Sequence, residues 1–90
     1  MTVYVLTNSI FASHYYPQNR TNFKGVYDSK EKAWEAIERD YYSLLRSIKE
    51  TKYTIRGIRI NCCGLTIEYE DFVEDIYVCE TFDITETEIK

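Results

Sequence analysis

The period of apolar positions changes twice along the chain. Over residues 2–8, Val3 and Val5 point one way and Tyr4 and Leu6 the other. Apolar side chains on both faces predict a central, well-covered strand, which Ile10-Phe11-Ala12 prolongs. Pro17-Gln18-Asn19-Arg20-Thr21-Asn22 has turn chemistry and reads as a hairpin tip. A second strand then returns over Phe23–Tyr27, with Gly25 as a bulge position. At Asp28-Ser29 the period lengthens to that of a helix. Ser29 caps the first amides, and Glu31 sits in the positive first turn. Ala33, Trp34, Ile37, Tyr41, Leu44, Leu45 and Ile48 fall at spacings of three and four and draw one stripe. Helix is predicted from Ser29 to about Glu50, with Glu35 and Arg39 as an i,i+4 pair. Tyr41 and Tyr42 stand about 100° apart on it, so one lies at the stripe's edge or on the surface.

Beyond the helix the period shortens to two. Tyr53–Ile60 is β-rich but mixed, with Tyr53 and Ile55 on one face and Thr54, Arg56, Ile58 and Ile60 on the other. Asn61-Cys62-Cys63-Gly64 turns the chain. Leu65, Ile67 and Tyr69 alternate with Thr66, Glu68 and Glu70, the cleanest half-buried strand of the sequence. Asp71–Asp75 connects it to a last strand over Ile76–Ile84. The polar residues Thr85–Lys90 are expected to fray. The predicted order is β-β-α-β-β-β. It describes a single α+β domain over residues 1–90, an antiparallel sheet with one long helix packed across a face.

Length and composition narrow the class. Ninety residues make one domain; 44% apolar and 29% charged residues are an ordinary globular balance. This excludes disordered and collagen-like chains, and no apolar run approaches the roughly 20 residues that span a bilayer. The start, Met1-Thr2-Val3-Tyr4-Val5-Leu6, has no basic region, and Thr7-Asn8-Ser9 ends its apolar run, so an intracellular, cytoplasmic protein is expected. Three cysteines, two of them adjacent, make a poor disulfide framework, and reduced thiols are expected at Cys62, Cys63 and Cys79.

Two segments together resemble a known type. Val3-Tyr4-Val5-Leu6-Thr7 opens the chain, and Gly25-Val26-Tyr27-Asp28-Ser29-Lys30-Glu31-Lys32-Ala33 leads into the helix. This pairing resembles small uncharacterised phage and bacterial proteins in which a hairpin precedes a helix opened by Ser-Lys-Glu-Lys-Ala. Their last strand is a short aromatic-acidic run, roughly matched by Tyr77–Asp83. The resemblance covers about half the chain. It implies the fold and a phage-like context, in which the cytoplasm would be a host cell's, and it carries over no catalytic residue.

Charge adds a further observation. The whole chain carries −4, yet residues 1–60 hold 10 basic and 6 acidic residues, and residues 61–90 hold 1 basic and 9 acidic. Glu68 and Glu70 share a strand face about 6.6 Å apart, close to the phosphate repeat of a nucleic-acid strand. An acidic face of this kind engages a basic surface or simply keeps a small protein soluble. The first reading is a non-enzymatic interaction protein: a phage-encoded inhibitor that occludes a host nucleic-acid-handling or defence protein, such as a CRISPR effector, by its acidic C-terminal half. Its partner-binding residues are Glu68, Glu70, Asp71, Glu74 and Asp75, with Tyr69 and Phe72 as anchors.

The runner-up is a self-associating module, a homodimer through the helix stripe or an edge strand. The third is a single-stranded nucleic-acid binder using the His14–Arg20 tip, Lys24, Arg56 and Arg59, which the net negative charge opposes. No nucleophile is identifiable beside His14, the only histidine, and there is no glycine-rich phosphate loop. Cys62-Cys63 lacks the Cys-x-x-Cys spacing of a zinc site. No catalytic residue, metal or cofactor is expected, and no membrane partner.

Overall fold

A computed structural model describes residues 1–13 and 18–89. The elements follow the predicted order: β1 (Thr2–Ser13), β2 (Gln18–Tyr27), α1 (Lys30–Lys49), β3 (Thr54–Asn61), β4 (Gly64–Asp71) and β5 (Ile76–Glu88). The sheet runs β2-β1-β5-β4-β3, and every neighbouring pair is antiparallel. The outermost described strands are therefore β2 and β3. The helix crosses β1, β2, β4 and β5 on one face. This is the expected α+β architecture.

Two boundaries differ from the sequence reading. Gln18–Asn22, expected in a turn, belong to β2, where Asn22, Thr21, Arg20, Asn19 and Gln18 pair with Asn8–Ala12. The polar residues found a strand partner because β1 runs on to Ser13. The tip residues His14–Pro17 lie outside the described residues. Thr85–Glu88, expected to fray, are strand: they pair with Thr2–Val5, and the N-terminal ammonium holds Glu88 at 3.2 Å. The opening strand supplies the hydrogen-bond partners that keep this polar tail in the sheet.

The helix begins where its cap predicts. Ser29 is extended, and its Oγ accepts the amide of Lys32 at 3.2 Å. Ala33, Ala36, Ile37 and Ile48 are buried, flanked by half-buried Trp34, Tyr41, Leu44 and Leu45. They cover Leu6 of β1, Leu65, Ile67 and Tyr69 of β4, and Val78, Phe82 and Ile84 of β5. Register makes these strand residues one face: Leu6 opposes Ile84, Leu65 opposes Phe82, and Tyr69 opposes Val78. Tyr41 is half-buried and Tyr42 exposed, as neighbours on a helix must diverge.

Two bulges set the faces, the one in β2 beside Gly25 as expected and the one in β3 as a correction. In β2 the register slips so that Lys24 is unopposed, beside Gly25 at φ +155°, and Lys24 reaches Asp40 of the helix at 3.7 Å. In β3 it slips between Ile55 and Gly57, leaving Arg56 unopposed. That extra residue restores parity. Ile55, Ile58 and Ile60 pair with Tyr69, Ile67 and Leu65, so all three isoleucines lie on the helix side rather than on opposite faces. The helix does not cover them, and each stays exposed.

The opposite face is rich in hydroxyls. Thr21, Ser9, Thr81 and Thr66 form one row across four strands, with Ser9–Thr21 and Thr66–Thr81 hydroxyl contacts both of 3.2 Å. Threonine suits a strand that meets water, since its methyl packs on the pleat while its hydroxyl stays solvated.

Candidate protein-interaction site

The proposed partner-binding residues separate by strand parity. Glu68 and Glu70 lie on the hydroxyl face, opposite Cys79 and Tyr77 of β5. Neither stands without a cation. Arg59 Nη2 meets Glu68 Oε1 at 2.6 Å, and Arg56 Nε meets Glu70 Oε1 at 2.9 Å. The sequence shows no basic residue between Arg59 and Lys90, but antiparallel pairing of β3 with β4 brings both arginines across. Surface pairs like these contribute about 0–1 kcal/mol each; their larger effect here is to neutralise this part of the acidic face.

Tyr69 is not an anchor. It is 9% exposed, on the helix side, with Tyr53 edge-on at 5.2 Å between ring centroids. Its hydroxyl donates to Glu80 Oε2 at 3.2 Å, and Asn8 Nδ2 donates to Glu80 Oε1 at 3.1 Å. Burial, then the charge of Glu80 and their hydrogen bond, push the Tyr69 hydroxyl well above the ordinary tyrosine range. This polar cluster under the helix is legible in the sequence only as one more acid in an acidic strand. Asp71 is buried as well, and its Oδ1 accepts the amides of Val73 at 2.9 Å and Glu74 at 3.3 Å. Its carboxylate closes the β4–β5 turn and is not offered to a partner.

That closure shapes the part of the candidate site that survives. The Asp71 turn holds Phe72-Val73-Glu74-Asp75 as a knuckle, with Phe72 64% and Val73 78% exposed. Asp75 is left-handed at φ +52°, a conformation that aspartate tolerates better than most residues. The Arg56 guanidinium lies 5.6 Å from the Phe72 ring centroid. The two large apolar side chains therefore face water beside the carboxylates of Glu74 and Asp75, on a turn braced from below. The knuckle adjoins the start of β3, where Thr54 opposes Glu70. Two features thus share one end of the sheet: an acidic-apolar turn and an outermost strand bearing three uncovered isoleucines.

A model of a domain of unknown function, DUF7336, matches residues 1–90. The chain belongs to the DUF7336 family. No curated protein and no solved structure matches it. Membership of an uncharacterised family agrees with the coarse part of the resemblance.

The remaining sites of the DUF7336 chain are modest. A surface groove of about 560 Å³ is lined by Tyr27, Lys32, Glu35, Glu38, Arg39 and Tyr42, and it holds no nucleophile beside a base. Among the described residues no group of three or more His, Cys, Asp or Glu side chains is placed to hold a metal ion. Three of the four cations named for nucleic-acid binding, Lys24, Arg56 and Arg59, are ion-paired. Among the described residues no helix is long and apolar enough to cross a membrane.

Proposed function

We propose that this chain is a non-enzymatic interaction protein whose Phe72–Asp75 knuckle docks on a basic surface of a protein partner. The Asp71-braced turn carries the reading, because it holds two exposed apolar side chains and two acids in one preformed shape. Preformed anchors lower the ordering cost of binding, and complementary charge speeds encounter. Basic surfaces are the electrostatic footprint of proteins that handle nucleic acid. Occlusion of such a protein, in a host cell by a phage-encoded inhibitor, is the specific form of the proposal. Glu68 and Glu70 have a secondary part, since Arg59 and Arg56 already neutralise them.

The test is affinity capture from bacterial lysate at low and high salt, with the parent chain and two variants. Phe72→Ala should weaken retention of a basic, nucleic-acid-binding protein at every salt concentration. The double variant Glu74→Lys/Asp75→Lys should lose it at low salt, where the parent binds best. Retention unchanged in both variants would remove the knuckle from the interface.

A second reading rests on its own observation. Ile55, Ile58 and Ile60 project on the helix side of an outermost strand that the helix does not reach over, and Ile60 is 69% exposed. An unprotected strand of this kind pairs with another strand, most simply β3 of a second copy.

A further inference from the structure

The β3–β4 hairpin turns on Cys62 and Cys63, both exposed and unbonded. Their sulfurs do not diverge: Sγ lies 3.1 Å from Sγ. The tip that presents them is fixed on three sides. Asn61 Oδ1 accepts the Cys63 amide at 2.8 Å. The Cys63 carbonyl accepts the Ile84 amide of β5 at 2.7 Å. Gly64 packs so closely on β5 that a Cβ there would meet the Phe82 carbonyl oxygen at 2.0 Å. Convergent thiols on a rigid turn are a two-sulfur ligand set.

Which chemistry they suit follows from distances. A disulfide between them is disfavoured, since adjacent Cα atoms across a trans peptide stand about 3.8 Å apart and disulfides usually need about 4.4 Å or more. Tetrahedral zinc, at a thiolate bond of about 2.3 Å, sets its sulfurs about 3.8 Å apart and asks for two further ligands. Asp83 of β5 stands opposite Gly64 beside the tip, but among the described residues no group of three or more His, Cys, Asp or Glu side chains is placed to hold a metal ion. A pyramidal centre of the same bond length with near-right angles spans about 3.2 Å and is satisfied by two sulfurs and one group of its own. The 3.1 Å contact shows that the two sulfurs come together closely enough to close on such a centre. The shared thiol hydrogen bond, then slight desolvation and the charges of Cys62 and Asp83, raise the Cys63 thiol above its ordinary range, and Lys30 at the helix start offsets this only in part, so the pair is held as thiols.

We propose that Cys62 and Cys63 form a binding site for trivalent arsenicals, the pyramidal, thiophilic class that takes two sulfurs at once. The step is a condensation without electron transfer. Two S–H bonds and the arsenic–oxygen bond of an arsenoxide break, two As–S bonds form, and the two protons leave with the oxygen as one water. Cys79 stands on β5 opposite Glu68, several residues along the strand from the tip, and takes no part.

The experiment uses the reduced full chain and phenylarsine oxide as probe. One equivalent should mask two of the three thiols from a thiol-titrating reagent and add one phenylarsenic group with loss of one water by intact mass. Cys79→Ser should bind as the parent does. Cys62→Ser and Cys63→Ser should each weaken binding at least about 100-fold, because the second sulfur then no longer closes the ring intramolecularly. Both serines are surface replacements, and an unchanged circular dichroism spectrum establishes that they fold. Dimercaptopropanol should reverse the adduct and excess monothiol should not. Three thiols still titratable, equal binding by either single-serine variant, or reversal by monothiol would each overturn the proposal.

Discussion

Removing the Tyr69 hydroxyl leaves Glu80 Oε2 without its buried donor. A buried acceptor stripped of one partner costs about 1–3 kcal/mol, and for a domain of this size each kcal/mol moves Tm by about 4–8 °C. Tyr69→Phe is therefore expected to lower Tm by several degrees, measured by thermal circular dichroism near neutral pH. The same contact sets a pH dependence. The Tyr69 hydroxyl titrates higher folded than unfolded, where its ordinary value is 10.0. Its contribution is thus fully present below about pH 10 and is lost as pH rises toward the raised folded value. Denaturant titrations between pH 9 and 11 should show the parent losing stability more steeply than Tyr69→Phe; equal slopes would separate Tyr69 from the alkaline limb. Neither residue's role is written in the sequence. Tyr69 and Glu80 sit at ordinary alternating positions, and only the β4–β5 register brings Tyr69 beside Val78 and Ile67 beside Glu80, enclosing the acid.

At the scale of elements the alternation of Leu65, Ile67 and Tyr69 and the stripe on α1 were legible because each follows one period without interruption. The faces of β3 are not legible in the same way, because a bulged residue reverses parity and the composition of Ile55-Arg56-Gly57 does not announce which residue is extra. The strand character of the tail is hidden for a different reason: its partner, Thr2–Val5, lies at the other end of the chain. The acids of the candidate site were legible as charge but not as geometry, since burial of Asp71 and the arginine partners of Glu68 and Glu70 depend on strand pairing. Two glycines, alike in sequence, differ in the hairpin they share. Gly64→Ala drives a Cβ into the backbone of β5, whereas at Gly57 an added Cβ meets nothing within 4 Å. Gly64→Ala is expected to lose several kcal/mol or fail to fold, and Gly57→Ala to stay within about 1 kcal/mol of the parent, both read from urea midpoints. Comparable losses at the two positions would contradict the β4–β5 approach that also fixes the cysteine tip.

The whole molecule carries more surface than its mass requires. A monomer of 10.7 kDa is expected to expose about 5,500 Å², and this chain exposes 6343 Å². Its radius of gyration, 14.4 Å, likewise exceeds the roughly 12 Å of a compact domain of this length, and its extents are 50 × 25 × 18 Å. The cause lies in the layers: one helix covers four strands of a five-stranded sheet, so β3 and the hydroxyl face remain open. The excess is close to the roughly 800 Å² that one partner gives to an ordinary protein interface. Both readings of function place that interface at the β3 end, and salt separates them. Docking of the acidic knuckle weakens as salt screens it, while strand addition buries isoleucine and holds. If β3 pairs with a second copy, light scattering should show the parent moving from monomer to dimer as concentration rises, equally at low and high salt. Ile58→Lys, on the outermost strand, should remain monomeric with an unchanged circular dichroism spectrum, because a charge at the centre of the strand opposes its own copy across the two-fold axis. A parent that stays monomeric throughout leaves β3 to a different protein, and the knuckle beside it becomes the interface to pursue.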